Sequence, residues 1–222
     1  MSEAREETGS APRPKRQAGA RFLVLDGVDG CGKSTLAARL CGELERAGRA
    51  APLHLREPGS TAAGEAIREI ALSRRHALVP QVEALLMAAA RRQMLDELVA
   101  PALAAGRDVV CERFHPSTWA YQGVAGGVGE ARIVQLLQAW ANAPAPDLVL
   151  ILDLSSAQAL ERRGAARDRI EAKGAAYQQQ VAEAYRRYAQ ERPFGGRVVR
   201  IDASRPLGEV AASAWAEVSR VL

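Results

Sequence analysis

The sequence predicts an α/β fold: a five-stranded parallel, doubly wound sheet with helices on both faces. Three observations predict it. Short apolar runs alternate with longer stretches of helical periodicity along residues 21–222. Each stretch between two apolar runs is long enough to carry the chain back to the same end of the sheet, as a parallel crossover requires. The run 147–154 (DLVLILDL) is apolar almost throughout, as expected of a strand covered on both faces.

The elements follow in order. Residues Met1–Ala20 are polar, with Pro, Gly, Ser and mixed charge, and read as a disordered tail before a domain over 21–222. Arg21–Asp26 (RFLVLD) is a buried strand running into a Gly-rich turn. Lys33–Ala47 is a helix, because Leu36, Leu40 and Leu44 recur at four-residue spacing. Ala51–Arg56 is a second strand and Thr61–Ser73 a short helix. Pro80 opens a long helix over Gln81–Ala105, since proline is accommodated in a first turn. Gly106 leads into a strand at Asp108–Cys111, and Gly129–Ala141 is helical. The apolar run at 147–154 is the most buried strand. Helices at Ser156–Arg163 and Ala175–Glu191, a last strand at Arg197–Asp202 and a helix at Leu207–Val221 complete the chain.

Composition narrows the function classes. No apolar run approaches the ~20 residues of a membrane span, and the first twenty residues lack the apolar core of a secretory signal. Cys31, Cys41 and Cys111 are odd in number and scattered, which suits neither a disulfide framework nor a metal cage. A reduced, cytoplasmic enzyme is expected. The net charge of +4 comes mostly from arginine, with no basic run interleaved by aromatics. That pattern fits anionic small molecules rather than nucleic acid.

The segment Gly27-Val-Asp-Gly-Cys-Gly-Lys33-Ser34 matches G-x-x-x-x-G-K-[ST] between a predicted strand and a predicted helix. Glycines there let successive backbone N–H groups turn inward around a phosphate, and the helix N-terminus adds its dipole. Lys33 is one of only three lysines in a chain that otherwise uses arginine. The fold expected is therefore a P-loop NTPase. ATP would be bound by Gly27, Asp29, Gly30, Cys31, Gly32, Lys33, Ser34 and Thr35, with the Ser34 hydroxyl on Mg²⁺. The motif leaves the acceptor open.

Further motifs stand in register after it: Arg56-Glu57-Pro58-Gly59-Ser60-Thr61, Arg91 on the long helix, and Glu112-Arg113-Phe114 with Ser117-Thr118 and Ala120-Tyr121-Gln122-Gly123. Pro146-Asp147-Leu148 and Asp168-Arg169-Ile170-Glu171 follow. Taken with the P-loop and its Asp29, this stretch from Arg21 to the C-terminus resembles bacterial thymidylate kinases. The resemblance implies a homodimer that moves the γ-phosphoryl group of ATP to dTMP with Mg²⁺. It implies that Arg56 and Arg113 hold the acceptor phosphate. Met87, Arg91, Ser117, Thr118, Tyr121 and Gln122 would complete the acceptor site, with Tyr121 against C2′ of a deoxyribose. Asp29 would lie near the 3′-hydroxyl and the magnesium-bound phosphate; Ser34, Asp29 and Glu112 are the candidate metal ligands. An Arg-rich lid (Arg162, Arg163, Arg167, Arg169) would close the site. Because Gly30 leaves the P-loop without an arginine of its own, Arg163 or Arg167 would be the catalytic cation, beside Lys33, Arg113 and Asp29, and Arg162 would lie against adenine.

The acceptor is a phosphate monoester, so it arrives anionic and needs positive charge rather than a strong general base. The histidines, His54, His76 and His115, are accordingly expected in loops or at strand edges. Two positions depart from the family pattern. Glu112 replaces an aspartate, and Met87 stands where an aromatic usually stacks on thymine. A deoxynucleoside kinase and a nucleotide-binding paralogue without turnover remain as alternatives.

Overall fold

The computed structural model describes residues 14–164 and 168–222. Five parallel strands form one sheet: β1 (Phe22–Gly27), β2 (Leu53–Arg56), β3 (Val109–Glu112), β4 (Leu148–Asp153) and β5 (Val198–Asp202), in the order β2-β3-β1-β4-β5. β1 is central and paired to β3 and β4, with Leu23 opposite both Val110 and Leu148. β1, β3 and β4 are buried almost completely, as apolar runs in a doubly covered sheet should be. The order reverses at β1, so its carboxyl end opens into the crevice where doubly wound sheets bind ligands.

The helices are α1 (Lys33–Arg46), α2 (Ala62–Leu72), α3 (Pro80–Met94), α4 (Ala100–Ala104), α5 (His115–Thr118), α6 (Glu130–Trp140), α7 (Ser156–Arg163), α8 (Ala175–Glu191) and α9 (Leu207–Ser219). α1 buries Lys33, Leu36, Ala37, Leu40 and Leu44, one face of a 3.6-residue period. Thr61 caps α2 by accepting from the Gly64 N–H. None of the helices among the described residues is long and apolar enough to cross a membrane.

Three expectations are modified. The long helix over 81–105 is two helices, α3 and α4, separated by a wide π-type turn at Leu95–Val99. Pro101 lacks the N–H that would reach the carbonyl of Glu97, and its ring crowds that carbonyl. Residues 115–124, to which the sequence reading assigns no element, form α5 and a π-type turn at Trp119–Val124. His115 is no loop histidine: it is 2% exposed, hydrogen-bonded to the Tyr188 hydroxyl at 2.6 Å and stacked on Phe194. Of the tail expected over 1–20, residues 1–13 lie outside the described residues. Gln17 donates its N–H to Leu103, Ala20 is buried, and the Arg16 guanidinium bonds Asp147.

Candidate active site

The phosphate cradle follows from β1. Gly27 has φ +146°, and a Cβ there would lie 2.6 Å from the Leu152 carbonyl, so only glycine fits. Gly30 and Gly32 have φ of 88° and 94°, and Gly32 opens α1 with no side-chain cap. The N-terminal N–H groups of α1 are therefore left to a ligand. Lys33 is 8% exposed, with Nζ 2.9 Å from the carbonyls of both Gly27 and Val28 and 4.0 Å from Asp29. Ser34 donates its hydroxyl to Glu112 Oε2 at 2.5 Å, and His54 meets Glu112 Oε1 at 2.9 Å. Burial raises the Glu112 carboxyl, but the His54 and Ser34 bonds outweigh it and hold it below the usual range. Asp29 turns elsewhere, to Arg113 and Tyr121.

Asp26, at the end of β1 and fully buried, ties the cradle to the chain after β3. It accepts from the N–H groups of Gly27, Phe114 and Ser117 and from the hydroxyls of Ser117 and Tyr185, at 2.7–3.0 Å. This network holds Arg113 in the left-handed region at φ 68°, with its N–H on the Leu25 carbonyl. A non-glycine residue there costs roughly 1–3 kcal/mol, which a surrounding structure must offset. The guanidinium bonds Asp29 and the Ser117 hydroxyl. Burial alone would raise the Asp29 carboxyl; the charges of Arg113 and Lys33 outweigh it and hold it well below the usual carboxylate range.

Asp29 and Arg113 line a cleft together with Glu57, Pro58, Arg68, Leu72, Met87, Arg91, Ser117, Thr118, Tyr121, Gln122, Asp168 and Ile170. Its apolar walls carry a few convergent polar and charged groups, as small-molecule sites do. Arg91, 2% exposed, is fixed by Glu57 Oε2 at 2.7–2.8 Å and by the Thr118 hydroxyl at 3.0 Å, with Cζ 4.7 Å from the Phe114 ring centroid. Among the described residues, its Nη1 and Glu57 Oε1 are both buried without a hydrogen-bond partner. A buried donor so placed is normally satisfied. Burial pushes the Glu57 carboxyl up to about 7, against the downward pull of Arg91.

At the same end, Glu83 on α3 is fully buried and receives Arg169 at 2.6 Å, Lys173 at 2.8 and 3.1 Å, and the Gln122 amide at 3.2 Å. Burial raises its pKa, but the bonds from Lys173, Arg169 and Gln122 bring it below the ordinary value. Arg169 also reaches the Ala71 carbonyl at 2.7 Å. The segment expected as a lid is thus tied to α2 and α3 at Arg169.

Two further grooves adjoin the cradle. One lies between α7, the 3₁₀ turn Glu171–Lys173 and the start of α8, and shares Val28 and Asp29 with the cradle. The other runs beside Cys31, Gly32 and Thr35 and is walled by Arg162, Ser204, Arg205 and Leu207. Arg162 donates to the Ala203 carbonyl at 2.9 Å, which fixes it as part of that wall.

The acceptor residues expected from sequence converge: Met87, Arg91, Arg113, Ser117, Thr118, Tyr121 and Gln122 all line the one cavity. Arg56 does not; its side chain is 58% exposed and lies 3.5 Å from Glu65. Arg68 takes a place in the wall instead, donating to the Pro58 carbonyl. Ser34 and Glu112 meet, while Asp29 is engaged by Arg113. Arg163 ends α7, and Arg167 lies outside the described residues. Sequence reasoning passed over Asp26, Glu57, Arg68 and Glu83 as site residues. Asp26 had a signal, a carboxylate closing an apolar strand; Glu83 had none beyond facing inward on a helix.

A family model described as thymidylate kinase matches residues 25–214. Proteins named thymidylate kinase are similar over most of their length. The one from Leifsonia xyli is 44% identical, covering 86% of this chain and 90% of its own. The one from Alkalilimnicola ehrlichii is 41% identical over 86% and 88%, and that from Chromohalobacter salexigens 41% over 91% and 96%. With its cradle, its paired Asp29 and Arg113, and these relatives, the chain belongs to the thymidylate kinase family of nucleoside-monophosphate kinases.

Proposed function

We propose that the protein transfers the γ-phosphoryl group of ATP to dTMP, giving dTDP and ADP. The observation that carries this reading is the short chain Lys33–Asp29–Arg113, which joins the phosphate cradle to the cavity. Two cations from different loops stand around one carboxylate, where a donor and an acceptor phosphate would have to meet. The relatives named thymidylate kinase support dTMP as the acceptor.

In this reading the N-terminal N–H groups of α1 and Lys33 hold the β- and γ-phosphates. Arg113 leaves part of its pairing with Asp29 to take the acceptor phosphate, helped by its ready-made bond to Ser117. Tyr121, 5% exposed and bonded to Asp29 at 3.2 Å, would lie against C2′ of the sugar and disfavour a ribose 2′-hydroxyl. Arg91 offers its free Nη1 to a base carbonyl, and Met87 packs on the ring through its polarizable sulfur. Arg162 and the wall beside Thr35 take the adenine. Arg163 or Arg167 supplies charge to the transferring group, the kind of contribution worth roughly 10³–10⁵ in rate in related P-loop enzymes.

Ser34 and Glu112 fit Mg²⁺: they bring two hard oxygens together beside the cradle. Among the described residues no cluster of three or more His, Cys, Asp or Glu could hold a metal, so phosphate oxygens and water would complete the shell. Bound there, the ion would supply positive charge against the negative charge of the transferring group. The assembly proposed is a homodimer through α3 and α6, which lie side by side and leave Val82, Leu85 and Trp140 exposed at 39%, 56% and 67%.

The test is ADP release with ATP and Mg²⁺ against dTMP, dUMP, dCMP, dGMP and thymidine. A strong preference for dTMP is expected. Turnover of thymidine without dTMP, or of none of the five, would overturn the reading.

A further inference from the structure

We infer that Glu83 is a specificity-determining positioning residue: it fixes the Gln122 side-chain amide so that the carbonyl oxygen, not the N–H, faces the base. This rests on the cavity being the nucleobase site.

An amide side chain is ambiguous by shape alone, since its oxygen and nitrogen are nearly the same size. Its neighbours decide which end points where. Gln122 is 2% exposed and its polar end lies 3.2 Å from Glu83 Oε2. Glu83 is fully buried, yet two cations hold it ionised: Lys173 contacts both of its oxygens and Arg169 one. An ionised carboxylate can only accept, so Gln122 must turn its N–H toward it. The carbonyl is the end that remains for the cavity, which Gln122 lines.

Arg91 supplies the complementary half. Glu57 and Thr118 occupy its other nitrogens and leave Nη1 buried with no partner. Arg91 and Gln122 therefore bring one donor and one acceptor to the cavity that both line. A 4-oxo pyrimidine with a proton on N3 satisfies both, through O4 and N3–H. A 4-amino pyrimidine offers the reverse at each position and would strand two buried groups, the kind of mismatch by which sites reject close analogues most strongly. Glu83 does not line the cavity, so it selects the base without touching it. The cations that keep it ionised, Arg169 and Lys173, lie on the segment that leads into α8, so base reading and the seating of that segment share one anchor.

The experiment compares kcat/KM for dTMP and 5-methyl-dCMP, which share the 5-methyl group and differ at the edge in question. In Glu83→Gln the side chain can donate as well as accept, so Gln122 is free to turn over. The dTMP to 5-methyl-dCMP ratio is expected to fall about tenfold or more, with KM for ATP changed by less than about twofold. Glu83→Asp keeps the charge for Arg169 and Lys173 but shortens the reach to Gln122, and serves should the first variant not fold; its ratio falls in the same direction. A ratio unchanged in the folded variants, with or without lost stability, would overturn the inference and leave the dTMP kinase reading intact. A wild-type protein that turns over neither nucleotide would overturn both.

Discussion

In the proposed reading, the groups that face the ligand at the phosphate end of the cleft belong to the backbone, while at the base end they are side chains held by other side chains. The cradle is made by Gly27, Gly30 and Gly32 at positive φ and by the uncapped start of α1, with Lys33 laid over it. The base end is a relay: Glu57 and Thr118 hold Arg91, and Glu83 holds Gln122. A backbone cradle reads only phosphate, which every nucleotide carries, and it tolerates no change of residue. A side-chain relay reads the base and can be retuned one residue at a time. Variants at the two ends should therefore differ in kind: uniform loss of rate at one, and redistribution among substrates at the other.

The largest effect is expected at Lys33. Lys33→Ala removes the one cation laid over the cradle, and kcat should fall by about 10³-fold or more for every acceptor alike, with the fold intact by circular dichroism. A variant that keeps near-normal kcat would put the phosphoryl transfer elsewhere. Arg113→Ala comes next and sits between the two ends. KM for the monophosphate should rise on the order of 100-fold, consistent with loss of a charge-assisted bidentate contact, while KM for ATP moves far less. Equal losses for both substrates would mean that Arg113 serves the cradle rather than the acceptor.

That difference also governs what the sequence made legible. Gly27, Gly32 and Lys33 sit at fixed spacings because backbone geometry demands them, so the cradle could be read directly. The strands were legible for a similar reason: β1 and β4 are covered on both faces and their residues are apolar without interruption. Glu83 and Glu57 could not be found this way. Each works through a partner brought in by the fold, Gln122 from 39 positions away and Arg91 from 34, and no local pattern announces such pairs. Arg56 shows the opposite case. Its place at the end of β2 suggested the acceptor site, but the chain turns after it and Arg68, one helix later, lines the cavity. α5 was missed because four residues carry too little period to read.

Met87→Phe sharpens the comparison from the base end. A phenylalanine there would add an aromatic plate beside Leu72 and Ile170. Aromatic pairs contribute about 0.5–1.5 kcal/mol beyond burial, so preference for dTMP over dUMP and dCMP should grow by roughly 2- to 10-fold, with kcat for dTMP within about threefold. An unaltered preference, measured by the same ADP-release assay, would show that Met87 does not lie on the base.

The smallest expected effect concerns stability and isolates the Glu57–Arg91 step of the relay. Glu57 has its carboxyl pushed up to about 7 by burial, from a value near 4.5 in the unfolded chain. Between those values folded Glu57 binds more protons than unfolded Glu57, so the contribution of this one group is fully present below about pH 4.5 and is lost as pH rises through about 7. Glu57→Gln cannot titrate, keeps an oxygen for Arg91, and removes only this contribution; Asp29 and the other carboxylates cancel when variant and wild type are compared at each pH. Relative to wild type the variant should therefore gain on the order of 1–3 kcal/mol between pH 5 and pH 8, read from urea midpoints across that window. A difference that does not change with pH would mean that Glu57 is already ionised at pH 5, with Arg91 outweighing burial. The relay would then rest on a permanent ion pair rather than on a carboxyl that shares its proton near neutrality.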